Sequence, residues 1–190
     1  MKKSLMVAAL VLTAFGAAQA DNLLTNGDFE LPLDQGWTQD VYSLAGSYRF
    51  ERADTFGQQT PGQAAKVYKY LAYYASLSQT VDVPDADVQL SFDGRFIIIG
   101  GSSTCWPVAA VFVHYLDMAG SPLGRTVFYL PSPYCNWVES DSVHLRLMNA
   151  GVWEEHVLYV AEEIRDNLPA VSAGDVRKIK VEMFAYDNGT

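Results

Sequence analysis

The feature that most constrains this chain is the two-residue beat of its apolar side chains. Leu77, Gln79, Val81 and Val83 share one register, and Val88, Leu90 and Phe92 alternate with Gln89, Ser91 and Asp93. Val143, Leu145 and Leu147 repeat the pattern, as do Ile179, Val181 and Met183. Successive side chains of a strand point to opposite faces, so each run predicts a half-buried strand. Residues 96–99 are more continuously apolar and extend the strand reading. Residues 108–116 are apolar almost throughout, which predicts a strand covered on both faces, with residues 125–130 as its hairpin partner across the turn at 120–124. Only residues 158–168 argue for a helix, with Ile164 and Leu168 a turn apart and Pro169 at the end. The expected fold is therefore all-β, an antiparallel β-sandwich with one short peripheral helix, and the lack of alternating helices speaks against a parallel α/β sheet.

The N-terminus predicts export. Lys2 and Lys3 precede an apolar run over residues 5–18 that closes on Ala18-Gln19-Ala20, small residues suited to cleavage. Residues 1–20 are read as a signal peptide and 21–190 as one domain, secreted to the periplasm or the exterior. The run is shorter than the roughly 20 apolar residues a bilayer core demands, so membrane insertion is not expected. The leader takes two of the 13 basic residues, leaving 11 against 22 acids and a net charge near −11. Nucleic acid and anionic lipid are disfavoured partners for such a chain. Cys105 and Cys135 are the two cysteines. In an oxidising compartment an even count predicts a disulfide, stabilising by ~3 to 4 kcal/mol. Their spacing is not that of a metal or redox motif.

The start of the expected domain reads Asn22-Leu23-Leu24-Thr25-Asn26-Gly27-Asp28-Phe29-Glu30, with Gly36-Trp37 soon after. Leu23 and Leu24 can begin a strand, Asn26-Gly27 supplies a turn, and Phe29 buries while Asp28 and Glu30 point outward. This opening resembles that of carbohydrate-binding modules with the galactose-binding-like jelly-roll fold. Gln79-Thr80-Val81 leading to Leu90-Ser91-Phe92 is similar to a strand pair of the same modules. The resemblance implies a jelly-roll sandwich, a glycan partner, and a structural calcium ion near the first loop, with Asp28 and Glu30 at the matching positions. Both acids read equally well as solvated turn residues. Modules of this kind close with a strand beside the first one, whereas this sequence stops at Asp187-Asn188-Gly189-Thr190. A missing last strand would leave an open edge, inviting an edge-strand partner.

Flat rings suit the apolar faces of pyranose sugars. Trp106 and Trp137 adjoin the two cysteines, so a cystine would hold both indoles on one rim, with Tyr134 beside them and Arg95 and Asn136 as hydrogen-bonding groups. The alternative is that the tryptophans pack over the end of the sandwich. His114, within an apolar strand, reads as a hydrogen-bonded core histidine, and Glu154-Glu155 and Glu162-Glu163 as solvated faces. No Gly-x-Ser-x-Gly elbow, HExxH, P-loop or dinucleotide fingerprint is present, so no catalytic residues are expected. The function expected is non-catalytic glycan binding, or else a structural or adhesive role at a cell surface.

Overall fold

The computed structural model describes residues 22–43, 46–54, 62–70 and 72–187. The predicted signal peptide, residues 1–20, lies outside them. The chain is mostly β. Its strands are β1 (Thr38–Tyr42), β2 (Ser47–Asp54), β3 (Gln63–Tyr70), β4 (Tyr74–Asp82), β5 (Gln89–Arg95), β6 (Val108–Leu116), β7 (Pro122–Pro131), β8 (Val143–Leu147), β9 (Trp153–Tyr159) and β10 (Lys178–Tyr186). One helix, α1 (Val160–Asn167), follows β9 directly. Among the described residues no helix is long and apolar enough to cross a membrane.

A six-stranded sheet in the order β1-β4-β10-β6-β7-β8 carries the architecture, while β2–β3 and β5–β9 form two-stranded pairs. The predicted β6–β7 hairpin is present. One departure from the antiparallel expectation is β7–β8, which is parallel. The chain leaves β7 and returns to the start of β8 through residues 132–142, and a parallel neighbour always needs such a crossover.

The two faces of this sheet differ. Leu77, Val111, Val113, Tyr115, Phe128, Ile179 and Val181 form the main core, against which Leu90, Phe92 and Leu158 of β5–β9 and Phe50 and Val67 of β2–β3 pack. A second, smaller cluster of Val108, Ala110, Phe112 and Val127 lies on the opposite face. Strand β6 feeds both clusters, which explains its unbroken apolar run.

The N-terminal segment corrects one expectation. Leu23 and Leu24 begin no strand, and residues 25–28 form a turn. Asn26 and Phe29 take left-handed backbone angles, φ 52° and 56°. The buried Asn26 amide donates to the carbonyls of Leu31 and Pro32 and accepts the Leu31 N–H, and the Asn26 carbonyl receives the Trp37 indole N–H at 3.0 Å. The Gln79 amide in turn clamps the Thr25 backbone, accepting its N–H at 2.7 Å and donating to its carbonyl at 2.8 Å. A side chain thus supplies the pairing that a neighbouring strand would.

The helix is also shorter than predicted, because Leu158 and Tyr159 belong to β9. Residues 96–99 hold only a bridge, Phe96 to Ala150. Strand β10 lies between β4 and β6, paired to both along its length, and the sheet edges are β1 and β8. The β8 edge is blunted, since the Leu145 N–H goes to the Glu139 carboxylate and Val143 exchanges backbone bonds with Ser140. Such capping discourages pairing with another chain.

Candidate functional site

Alternation along the strands of the large sheet places one set of side chains on the face away from the main core. Strand register aligns Tyr42 with Tyr74, Tyr74 with Tyr186, Phe184 with Ala110, and Ala110 with Tyr129. The rings meet as a ribbon that crosses the strands. Tyr42 lies 5.0 Å from Tyr73 and 6.3 Å from Tyr74; Tyr74 stacks on Phe184 at 5.6 Å; Phe184 meets Phe112 edge-on at 5.3 Å. Phe112 is 5.8 Å from Trp137, and Trp137 stacks on Tyr129 at 5.6 Å with only 9° between the planes. From β1 to β7 the ribbon crosses four strand spacings, about 19 Å.

Polar groups border it. The Tyr74 hydroxyl donates to Asp40 at 3.1 Å. His114 stacks on Phe112, its Nε2 3.1 Å from Glu182, and Lys180 reaches the same carboxylate at 3.1 Å. His114 is hydrogen-bonded as predicted, but it stands on the outer face of the sheet and not in the core. Arg125 lies over the Phe112 ring, 5.2 Å from its centroid, within cation–π range. Burial would push the Glu182 carboxyl up, but hydrogen bonds from His114, Ser76 and Lys180, with the Lys180 charge, hold it down at about 2.

Of the residues nominated from sequence, Trp137 joins the ribbon, half-buried, and Tyr134 and Asn136 are exposed on the same loop. Trp106 sits on the loop before β6, 42% exposed, with its indole N–H donated to the Ser103 carbonyl. The two loops are tied together by the Ser132 N–H on the Pro107 carbonyl at 2.9 Å, and Trp137 turns onto Tyr129. Arg95 lies on the outward side of β5, in the other layer, and donates to the Gly151 carbonyl. The ribbon rings on β1, β4, β6, β7 and β10 were missed, although their every-second-residue spacing with Glu182 and Lys180 was there to be read.

The predicted disulfide is not formed: Cys105 and Cys135 are both free thiols. Their loops are neighbours, but their surroundings differ. Cys105 closes a tight turn with Ser102 and lies within electrostatic reach of Lys69, while Cys135 packs into the outer-face cluster with Trp137.

Asp28 and Glu30 are exposed on the first loop. The Glu30 carboxylate accepts the Gln63 N–H, and Asp28 accepts the Glu30 N–H. The loop carbonyls that would complete an oxygen cage, Phe29 and Glu30, instead accept the Arg52 guanidinium at 2.7 and 2.8 Å. A hard cation such as calcium takes six or more oxygens, and in this arrangement the guanidinium occupies the two loop carbonyls it would use. Among the described residues no group of three or more His, Cys, Asp and Glu side chains is placed to hold a metal ion.

Another correction concerns Glu163. Read from sequence as solvated, it is 3% exposed and receives hydrogen bonds from Thr126 at 2.8 Å, His144, Arg146, and Asn167 at 3.1 Å. Helical spacing carried the signal, since Glu163 follows the buried Val160 by three positions. The cluster borders a polar recess of about 150 Å³ between α1, β8 and β9. Every oxygen of that carboxylate is engaged by the fold, which marks it as a structural lock.

Compared with protein-family models and with curated proteins, the sequence finds no match.

Proposed function

We propose that this protein is an exported, non-catalytic glycan-binding module of the jelly-roll, galactose-binding-like type, which holds its ligand on the outer face of the six-stranded sheet. The observation that carries this reading is the ribbon of rings from Tyr42 to Tyr129, bordered by Asp40, His114, Lys180 and Arg125. Rings supply flat apolar area for the faces of sugar rings, and the bordering groups supply donors and acceptors for hydroxyls. The opening Asn22 to Glu30 and Trp37 supports the same reading through its resemblance to such modules.

Affinity electrophoresis through a panel of soluble polysaccharides tests it. Retention by at least one glycan is expected, weakened about two- to tenfold per ring by Tyr42→Ala and by Trp137→Ala, from ~0.5–1.5 kcal/mol per ring contact. Retention unchanged in both variants would remove the ribbon from the site. No retention on any glycan, together with self-association in sedimentation, would favour the structural or adhesive role.

A further inference from the structure

One interior group serves neither the ribbon nor the Glu163 lock. His156 on β9 faces the main core, its ring 5.0 Å from Phe92 on β5 and 5.2 Å from Phe128 on β7. Among the described residues its buried Nε2 has no hydrogen-bond partner. The Arg146 guanidinium covers the Phe128 ring at 5.3 Å. Strands β5 and β9 hydrogen-bond to each other and not to the strands of the large sheet, so side-chain packing holds this pair down.

We propose that His156 makes the β5–β9 pair an acid-released layer, opening away from the large sheet when its imidazole takes up a proton. The neutral ring leaves a bare lone pair against carbon, whereas the protonated ring presents a charged N–H with no acceptor, a costlier group to bury. Charged groups bear on it from every side. Glu154 on β9 and Asp93 on β5 favour the proton, Arg146 on β8 opposes it, and burial, the largest influence, opposes it too. Glu154 is already engaged by the Asn149 amide and N–H. His144 on β8, Glu163 on α1 and Thr126 on β7 are bound to one another, with the Tyr115 hydroxyl of β6 on Thr126.

The net effect lowers the folded pKa of His156 below its ordinary 6.5. Closure of the layer is therefore complete above about pH 6.5 and is lost as pH falls toward the folded value. Hydrogen exchange of the whole chain between pH 7.5 and 5.0, corrected for intrinsic rates, reads this directly. Opening of β5 and β9 amides is expected to rise up to about tenfold per pH unit below 6.5 while β6 and β10 stay protected. In His156→Gln and His156→Phe the slope should vanish. A slope that persists in either variant, or β6 and β10 opening in step with β5 and β9, overturns the proposal. Should both variants misfold, ring resonances of His156 in the unaltered protein decide. Protonation at or above pH 6.5 with the layer closed refutes the proposal, and a neutral ring until the layer opens supports it.

Discussion

Replacing Glu163 tests whether a single buried carboxylate locks the helix to the sheet edge. It ties α1 to β7 through Thr126, to β8 through His144 and Arg146, and to its own helix through Asn167. Breaking one side of a buried ion pair typically costs about 3–5 kcal/mol, because the partner is left charged and unpaired. Here the partners are not fully enclosed. The Arg146 side chain is 32% exposed and that of His144 is 22% exposed, so both regain water when the carboxylate is removed. Thr126, fully buried, keeps its bond to Tyr115 at 2.8 Å. The cost of Glu163→Ala is thereby reduced to about 2–3 kcal/mol, and Glu163→Gln, which keeps an acceptor oxygen, loses about 1–2 kcal/mol. At ~2–4 °C per kcal/mol for a chain of this size, the alanine variant melts about 4–12 °C lower. The pH dependence supplies a second test. Burial would push the Glu163 carboxyl up, but the His144 and Thr126 hydrogen bonds and the charges of Arg146 and His144 bring it below its ordinary 4.5. A depressed carboxyl stabilises fully above that ordinary value, and the contribution fades as pH falls through the folded one. Denaturant unfolding of the protein and of Glu163→Gln should therefore show a gap at pH 7 that narrows toward pH 3. Equal stability at pH 7, or a gap that does not change with pH, would refute the lock.

Three further outcomes follow from other parts of the fold. Asn26→Ala removes three cross-loop hydrogen bonds and puts a β-carbon-only residue at φ 52°, so chemical denaturation should register a loss of about 2–4 kcal/mol, with Asn26→Gly losing less. Because Arg52 takes the loop carbonyls beside Glu30, melting temperatures in excess calcium and in chelator should coincide; a rise with calcium would mean that the ion displaces the guanidinium. A thiol-specific reagent should count two thiols in the native chain, with Cys135 reacting more slowly because burial pushes its thiol up.

The strands were legible wherever one face of the alternation was plainly apolar. Strands β4, β5 and β10 carry their inward Leu77, Leu90 or Ile179 on a clean two-residue period, β8 carries Leu145 on the same period toward the outer face, and β6 announced two covered faces by having none. Strand β9 was hidden because Glu154 and His156 share its inward set with Leu158, and β3 because Lys69, on its inner side, is buried against Asp187. In both, a charged or titratable residue occupies a position that the pattern assigns to an apolar one, and only tertiary partners make that tolerable. The disulfide was expected from loop proximity, which follows from the β6–β7 hairpin, but the two thiols have different surroundings: Cys135 packs into the outer-face cluster, and Cys105 closes its own tight turn with Ser102.

The outer face carries the same lesson into the functional reading. An antiparallel sheet whose core is already complete on one side is free to be polar on the other, and stability of the main core does not call for Tyr42, Tyr74, Phe184 or Tyr129. Their placement is nevertheless ordered. Across the row through Phe184, small residues stand beside large ones, Ser76 next to Phe184 and Ala110 between Phe184 and Tyr129, which gives each ring room to lie along the sheet. The neighbouring row sets Glu182 beside Phe112, and His114 and Lys180, from the row beyond, fix the carboxylate. Rings and anchored polar groups therefore stand side by side on this face, which gives it two chemistries at close range. Because Glu182 is held down at about 2, its carboxylate stays charged across the whole range in which His156 is expected to loosen the opposite layer. Ligand retention should therefore survive at pH 5.5 even as β5–β9 opens, and a loss of retention in step with that opening would mean that the two faces of the sheet are coupled.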